Sequence, residues 1–340
     1  MAEVGPGAAS TYVPTFSEAT GLVQVEYSRN PASFAVNSYA KLIPVSKDTG
    51  YYLRIDEEES ARIGSLSDTV WQDGNDAPEG IQQDHEFSTF RTQRHAPTFV
   101  LGQKAAGNAD FEIVASHARM AASKAMRIRS LRAATELTTS GNWGSDSTDS
   151  ATNVGGGQFQ DATSTNNYIQ KSFNGVSEAI LANTNEAVTA SDIVAVMSDV
   201  TAHSITESEE YRTYFQGSPF AANFVRGAGE FNEFLLLSTF FGVGGIVVDP
   251  TARVTNRKGG TTARTRIFDD DVVFVSRPGG QMGTEGVPDF STLSIFAYED
   301  MTVETEDDTW NRRVRGRVVD DSAVVLTAPL SGYLLTDVWD

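Results

Sequence analysis

NADFEIVASHARMAASKAMRIRSLRAATELTT, residues 108–139, is the stretch that decides the fold. Phe111, Val114, Ala118, Ala121, Ala125 and Ile128 recur in steps of three and four, the spacing of one helix face. Asn108 suits an N-cap, and Asp110 and Glu112 fall in the first turn, facing the positive end of the helix dipole. Lys124, Arg127, Arg129 and Arg132 populate the later turns, where cations complement the opposite end. Gly141 predicts the stop. A helix of about 30 residues spans ~45 Å, longer than a compact domain of this size needs. Its alanine-rich stripe is narrow and predicts close packing. Such a strut, among segments unable to bury themselves alone, suits a building block better than a catalytic pocket.

Upstream, residues 1–50 read as an arm. Pro6, Pro14, Pro31 and Pro44 forbid a long helix, and Tyr12, Phe16, Tyr27, Phe34 and Tyr39 carry more apolar surface than disordered chain usually does. Fully extended, fifty residues reach beyond ~150 Å, so even a partly extended arm crosses onto a neighbour. Residues 51–100 read as a two-stranded excursion. Tyr51–Ile55 forms one strand and Glu86–Val100 the other, with Asp56, Glu57, Glu58, Glu59, Trp71 and a turn over Asp73–Pro78 between them. A lone ribbon is marginal in water and needs a partner surface.

Downstream, residues 145–166 read as a Gly/Ser/Thr-rich loop. Ile169, Phe173, Val176 and Ile180 restore helical spacing over Tyr168–Ala182. Ser191 predicts the cap of a helix from Asp192 to about Ile205, and Gly229–Phe241 an apolar helix that Gly242 ends. Strands follow at Ile246–Val248, Ala263–Phe268, Val272–Val275, Leu293–Tyr298, Arg312–Val319 and Val324–Leu326. Helices and strands without regular alternation indicate an α+β class. No internal repeat is visible.

The 340 residues hold one large or two modest cores. With no cysteine, disulfides, thiolate metal sites and cysteine nucleophiles are excluded. No apolar run approaches the ~20 residues of a membrane span, and MAEVGPGAAS has neither the basic nor the apolar region of a signal peptide. The opening on Met1 sets the expectation that no N-terminal propeptide is removed. Twenty-six basic against 45 acidic residues give −19, a charge that repels phosphate backbones overall.

Catalytic and cofactor motifs are not found. Gly242–Gly245 follows a helix and precedes a strand, the reverse of a phosphate loop, and reads as a helix C-cap. His85, His95, His117 and His203 have no metal-ligand spacing. The acidic clusters Asp56–Glu59, Asp269–Asp271 and Glu304–Asp308 have no EF-hand loop and read as solvated faces or inter-subunit partners. The best-patterned charges are Arg313, Arg315 and Arg317, alternating with Val314, Gly316 and Val318. On a strand they share one face. One reading is a solvent-facing strand; the other is a basic ledge receiving an acidic segment, with Asp56–Glu59 the first candidate.

The order of these parts resembles the major capsid proteins of tailed bacteriophages, the Hong Kong 97-type fold. The stretches that carry it are LLLSTFFGVGGIVVDPTARVTN (235–256), RIFDDDVVFVSRPG (266–279) and NRRVRGRVVDDSAVVLTAPLSGYLL (311–335), set after the arm, ribbon and long helix. The resemblance implies an N-terminal arm over 1–50, an extended loop over 51–100, a spine helix over 108–139, a peripheral domain over 101–190 with 292–340, and an axial domain over 191–291. It implies no enzyme and no cofactor or metal. It implies self-assembly into hexamers and pentamers of an icosahedral head in the host cytoplasm. Double-stranded DNA is enclosed without sequence-specific binding, and a separate scaffolding protein, a portal and a decoration protein are the implied partners. Inter-subunit contacts fall to Asp56, Glu57, Glu58, Glu59, Trp71, Arg313, Arg315 and Arg317. No residue matches the Lys–Asn crosslink of some members. Two other readings remain: an encapsulin-like compartment of the same fold, and an acidic β-rich carbohydrate-binding protein presenting Trp71, Trp143, Trp310 and Trp339.

Overall fold

The computed structural model describes residues 28–55, 85–108, 113–149, 156–217, 238–256, 260, 263–276 and 291–339. In chain order, α1 (Val36–Tyr39) leads into β1 (Lys41–Pro44), then β2 (Thr49–Ile55), β3 (His85–Arg91), β4 (Gln93–His95) and β5 (Thr98–Gly102). Next come α2 (Gln103–Asn108), the long α3 (Ile113–Thr138), β6 (Ser147–Asp149) and α4 (Tyr168–Asn183). Then follow β7 (Ile193–Met197), α5 (Asp199–Glu207), α6 (Glu209–Gly217), α7 (Ser238–Phe241) and β8 (Gly245–Val248). The chain ends with β9 (Ala252–Val254), β10 (Arg264–Arg266), β11 (Val272–Ser276), β12 (Leu293–Asp308), β13 (Arg313–Leu326) and β14 (Tyr333–Thr336). The class is α+β.

Two sheets lie against α3. In the first, β12 and β13 form one long antiparallel hairpin, from Leu293 opposite Leu326 to Asp308 opposite Arg313. β1 pairs in parallel with β12, and β4 and β5 pair with β13, so both hairpin edges are covered. Phe99, Leu101 and Val318 pack on Ala121 and Ala125 of α3. Small side chains on the helix let the strands approach closely, as the alanine stripe predicts.

The second sheet runs β6-β14-β11-β7-β8. It divides its side chains by parity. Ile193, Ala195, Met197, Val272, Phe274 and Leu335 join a core with α4, whereas Val194, Val196, Val273, Val275 and Leu334 join Met126, Ala133, Ala134 and Leu137 of α3. Strands covered on both faces read as unbroken apolar runs rather than alternating ones.

That burial corrects the helix expected over Asp192–Ile205. Ile193–Met197 is a strand buried at every position, and the helix starts only at Asp199, capped by Ser198, whose Oγ accepts from the Thr201 N–H at 3.1 Å. Ser191 lies in the turn before, where Gly244 approaches so closely that a Cβ on it would lie 1.8 Å from the Ser191 carbonyl oxygen. The expected break between Val319 and Val324 is absent too: β13 runs through Asp320, Asp321 and Ser322. The strand expected over Leu293–Tyr298 continues to Asp308, and that expected over Glu86–Val100 is broken into β3, β4 and β5 at Thr92 and at Ala96–Pro97. β14, for which no strand is expected, pairs with β11 and β6.

The α3 helix has 26 described residues, ~39 Å at 1.5 Å each. Phe111, Asp110 and Glu112 lie outside the described residues, as do most of the arm and of the helix expected over Gly229–Phe241. The helix closes not on Gly141 but on side chains: the Trp143 Nε1–H donates to the Leu137 carbonyl at 2.7 Å, and the Asn142 amide to that of Glu136 at 2.9 Å. These satisfy carbonyls a helix end leaves open. In α4 the expected stripe holds, with Ile169, Phe173, Val176 and Ile180 all fully buried. Its N-terminus is capped from a distance by Glu210, whose carboxylate accepts from the Ile169 and Gln170 N–H groups at 2.9 and 3.0 Å. At the other predicted stop, Gly242 takes φ +65° directly after α7, the left-handed C-cap conformation.

Candidate functional site

Three surfaces on the first sheet carry the features the sequence singled out. The first is the far end of the β12–β13 hairpin. Its register sets Glu304 opposite Arg317, Glu306 opposite Arg315 and Asp308 opposite Arg313, all on one face. Arg313 Nε donates to Asp308 at 2.9 Å, Arg315 also reaches Asp308, and Arg317 pairs with Glu304. The three guanidinium groups are therefore engaged by their own hairpin. Hydrogen bonds from Asn311, then Arg313, hold the Asp308 carboxyl well below the usual carboxylate range. The opposite face explains Gly316: the Phe99 ring lies over it, and a Cβ there would come within 2.1 Å of the ring. At the tip Trp310 is 93% exposed. Asp56, Glu57, Glu58, Glu59 and Trp71 lie outside the described residues.

The second surface is the root of the ribbon formed by β2 and β3, paired from Thr49 opposite Arg91 to Ile55 opposite His85. Tyr52 and Phe90 fasten one face to the body through Phe296, with the Phe90 and Phe296 rings stacked at 4.2 Å. The other face presents Tyr51, Leu53 and Phe87, between 48 and 74% exposed. These three large apolar side chains face outward together on one ribbon, a grouped exposure rather than a scattered one.

The third is the junction between α3 and the hairpin. Arg129, 3% exposed, donates to Asp320 at 2.6 Å and to Asp300 at 2.7 Å. Burial alone would lower its affinity for a proton; the two carboxylates more than offset this and hold it charged. Arg132 holds the Ser322 carbonyl at 2.6 Å, and Arg94 holds Asp321 at 3.1 Å. Each polar residue inside β13 thus has a cation from another element. Sequence reasoning placed Arg129 and Arg132 as dipole-complementing cations on the helix. Their real partners sit some 190 residues away, and only two buried acids in mid-strand, Asp320 and Asp321, hinted at them.

Among the described residues no cluster of three metal-ligating side chains occurs, and no helix is long and apolar enough to cross a membrane. His117 lies against the Phe99 ring at 6.1 Å between ring centres. The Trp candidates for sugar platforms are dispersed: Trp143 is buried under Gly332, Trp339 donates to Thr201, and Trp310 stands at the hairpin tip.

A long helix lies across a hairpin whose edges root a ribbon, and the fold as a whole is similar to solved structures. A phage-related protein from Bordetella bronchiseptica RB50 superposes with a TM-score of 0.62 at 14% identity, covering 94% of this chain and 95% of that one. The mature capsid of bacteriophage PhiM1 gives 0.55 at 10% identity, over 96% of this chain and 91% of that one. The fold is the Hong Kong 97 type. The capsid of cyanophage P-SCSP1u gives the same TM-score of 0.55 at 10% identity, over 99% of this chain and 96% of that one. No family model matches the chain, and no curated protein matches it. The Hong Kong 97-type fold is thus carried here by a sequence that has drifted far from its structural neighbours, and it is the α+β architecture that the order of elements predicts.

Proposed function

We propose that this chain is the major capsid protein of a tailed bacteriophage, assembling with copies of itself into hexamers and pentamers of an icosahedral head around double-stranded DNA. The observation that supports this most is the extent of the fold match: over nine tenths of this chain aligns with phage capsid subunits. In this reading residues 191–291 turn toward the capsomer centre. Residues 101–190 with 292–340 form the periphery, and the arm (1–50) and ribbon (51–100), rooted in the body through β1 and through β4 and β5, reach onto adjacent copies. Tyr51, Leu53 and Phe87 are the ribbon's apolar contact, joined by Trp71 and the acidic run Asp56, Glu57, Glu58 and Glu59. Arg313, Arg315 and Arg317 with their paired acids form a charge-balanced ledge at the rim. A closed symmetric shell makes many such contacts at once, so each needs only modest strength. A separate scaffolding protein, a portal and a decoration protein complete the assembly. The acidic surface leaves the DNA unglued, as packaging and release require.

Negative-stain microscopy of the purified, expressed chain tests the proposal. Closed isometric particles built of hexagonal and pentagonal capsomers are the expected outcome. A monodisperse monomer across micromolar to millimolar concentrations, with scaffolding co-expressed, is the result that removes it.

A further inference from the structure

At the crook where the ribbon leaves the body lies an open cleft of about 580 Å³. One side is the turn from β1 into β2, with Ser46, Lys47 and Asp48; the other is the kink from β3 into β4, with Arg91, Thr92 and Arg94. Tyr298 and Asp321 form the floor. The Thr92 N–H donates to the Asp48 carbonyl at 2.8 Å and ties the two sides together. Arg94 is spent on Asp321, at 3.1 Å, and lies 3.9 Å from Glu299. Lys47 and Arg91 have no ion pair among the described residues, and the buried Thr92 hydroxyl has no hydrogen-bond partner there. Two unengaged cations thus face one cleft in a chain of net charge −19.

We propose that this crook is an oxyanion socket, filled in the shell by a carboxylate side chain of a neighbouring copy, and that filling it fixes the angle at which the ribbon projects. The inference rests on the shell reading for its occupant. A carboxylate presents two oxygens in one plane, which suits a guanidinium fork beside an ammonium. A nucleic-acid backbone fits worse. It needs a cationic stripe along several phosphates, whereas these two cations are flanked by Asp48, Asp321 and Glu299. Carboxylates are what a neighbouring copy has in excess, 45 against 26 basic residues. The position gives the contact its effect. An anion held between the 46–48 turn and the 91–94 kink bridges the two strands on which the ribbon pivots.

The test uses the full chain, K47A/R91A and the charge-keeping K47R/R91K. Each is titrated with tetraglutamate, with inorganic phosphate and with a short DNA duplex, and each is assayed for assembly by sedimentation. Support is tetraglutamate binding by the wild type and K47R/R91K that weakens at least about tenfold in K47A/R91A, with a similar rise in the concentration needed for particles. Thermal unfolding is followed in parallel; if the double variant melts early, the single K47A, which alters one exposed side chain, takes its place. Equal peptide binding by all chains, or none by the wild type, overturns the socket. A duplex that displaces the peptide overturns its protein occupant, and phosphate binding that alone responds to the substitutions assigns the socket to free anions instead. Should the wild type form no particles, the shell reading fails by itself, while the peptide titration still decides the socket.

Discussion

Arg129 stands in a run of cations along a helix, and by spacing alone it belongs to the solvated face. The structure turns it inward, where it forms the ion pair with Asp320, fully buried in β13. Replacing Arg129 by alanine leaves that carboxylate buried and unpaired, with an expected loss of about 3–5 kcal/mol read from urea unfolding. Substituting Met for Arg129 together with Leu for Asp320 is expected to recover most of it, since an apolar pair avoids the desolvation cost. Asp271 behaves in the opposite sense. Burial first, then the neighbouring Asp270, Asp269 and Asp337, push its carboxyl up to about 7 from 3.8. The folded chain therefore prefers it protonated. No cost exists below the unfolded value; the cost grows as pH rises from about 4 and is complete above about 7. Asp271→Asn is expected to stabilise by on the order of 2 kcal/mol at pH 8, allowing for solvent screening, and by less at pH 5. Urea midpoints of variant and wild type at both pH values check this; an equal gap at both would contradict it. Neither role was readable from sequence, because a charged residue's partners are set by folding rather than by spacing.

At the scale of elements, periodicity succeeded where one face is buried and failed where two are. The α4 stripe of Ile169, Phe173, Val176 and Ile180 is amphipathic and legible. β7 is covered by α3 on one side and the α4 core on the other, so Ile193–Met197 carries no alternation, and its apolar run merges with the helix that follows. β13 misled for the converse reason: Asp320 and Asp321 look like a turn until Arg129 and Arg94 supply their charges. The strand pair β5–β13 offers a clean test of element packing. Gly316 faces Phe99 in register, with the ring where a side chain would start. Gly316→Ala is expected to cost about 1–3 kcal/mol through overpacking. Combined with Phe99→Leu it is expected to cost less than the sum of the two single changes, a coupling that a thermal double-mutant cycle measures.

For the whole molecule, the order of parts was legible early. A ribbon, a long helix and a mixed block followed from a two-strand pattern, a 3–4 stripe and unalternated strands. The rest depended on long-range pairing. No local signal places β14 between β6 and β11, or β1 parallel to β12 some 250 residues later. Alternation placed Arg313, Arg315 and Arg317 on one strand face, but their carboxylates, Glu304 and Asp308, lie on the adjoining strand, which spacing does not reveal. Deleting residues 56–84 and bridging β2 to β3 with a short turn is expected to leave a folded, soluble subunit, because the ribbon root is held by Phe90 and Tyr52 on Phe296. The same deletion is expected to abolish stable particles, as judged by light scattering. Undiminished particle yield would remove the ribbon from the assembly.

The ribbon's two strands do not enter the body at one place. One continues from β1 on the β12 edge, and the other passes into β4 and β5 on the β13 edge. A tug on the ribbon is therefore split between opposite margins of a single hairpin, like a strap riveted on both sides of a plank. In the proposed shell, tension along the ribbon would load that hairpin from both margins together instead of peeling one strand away.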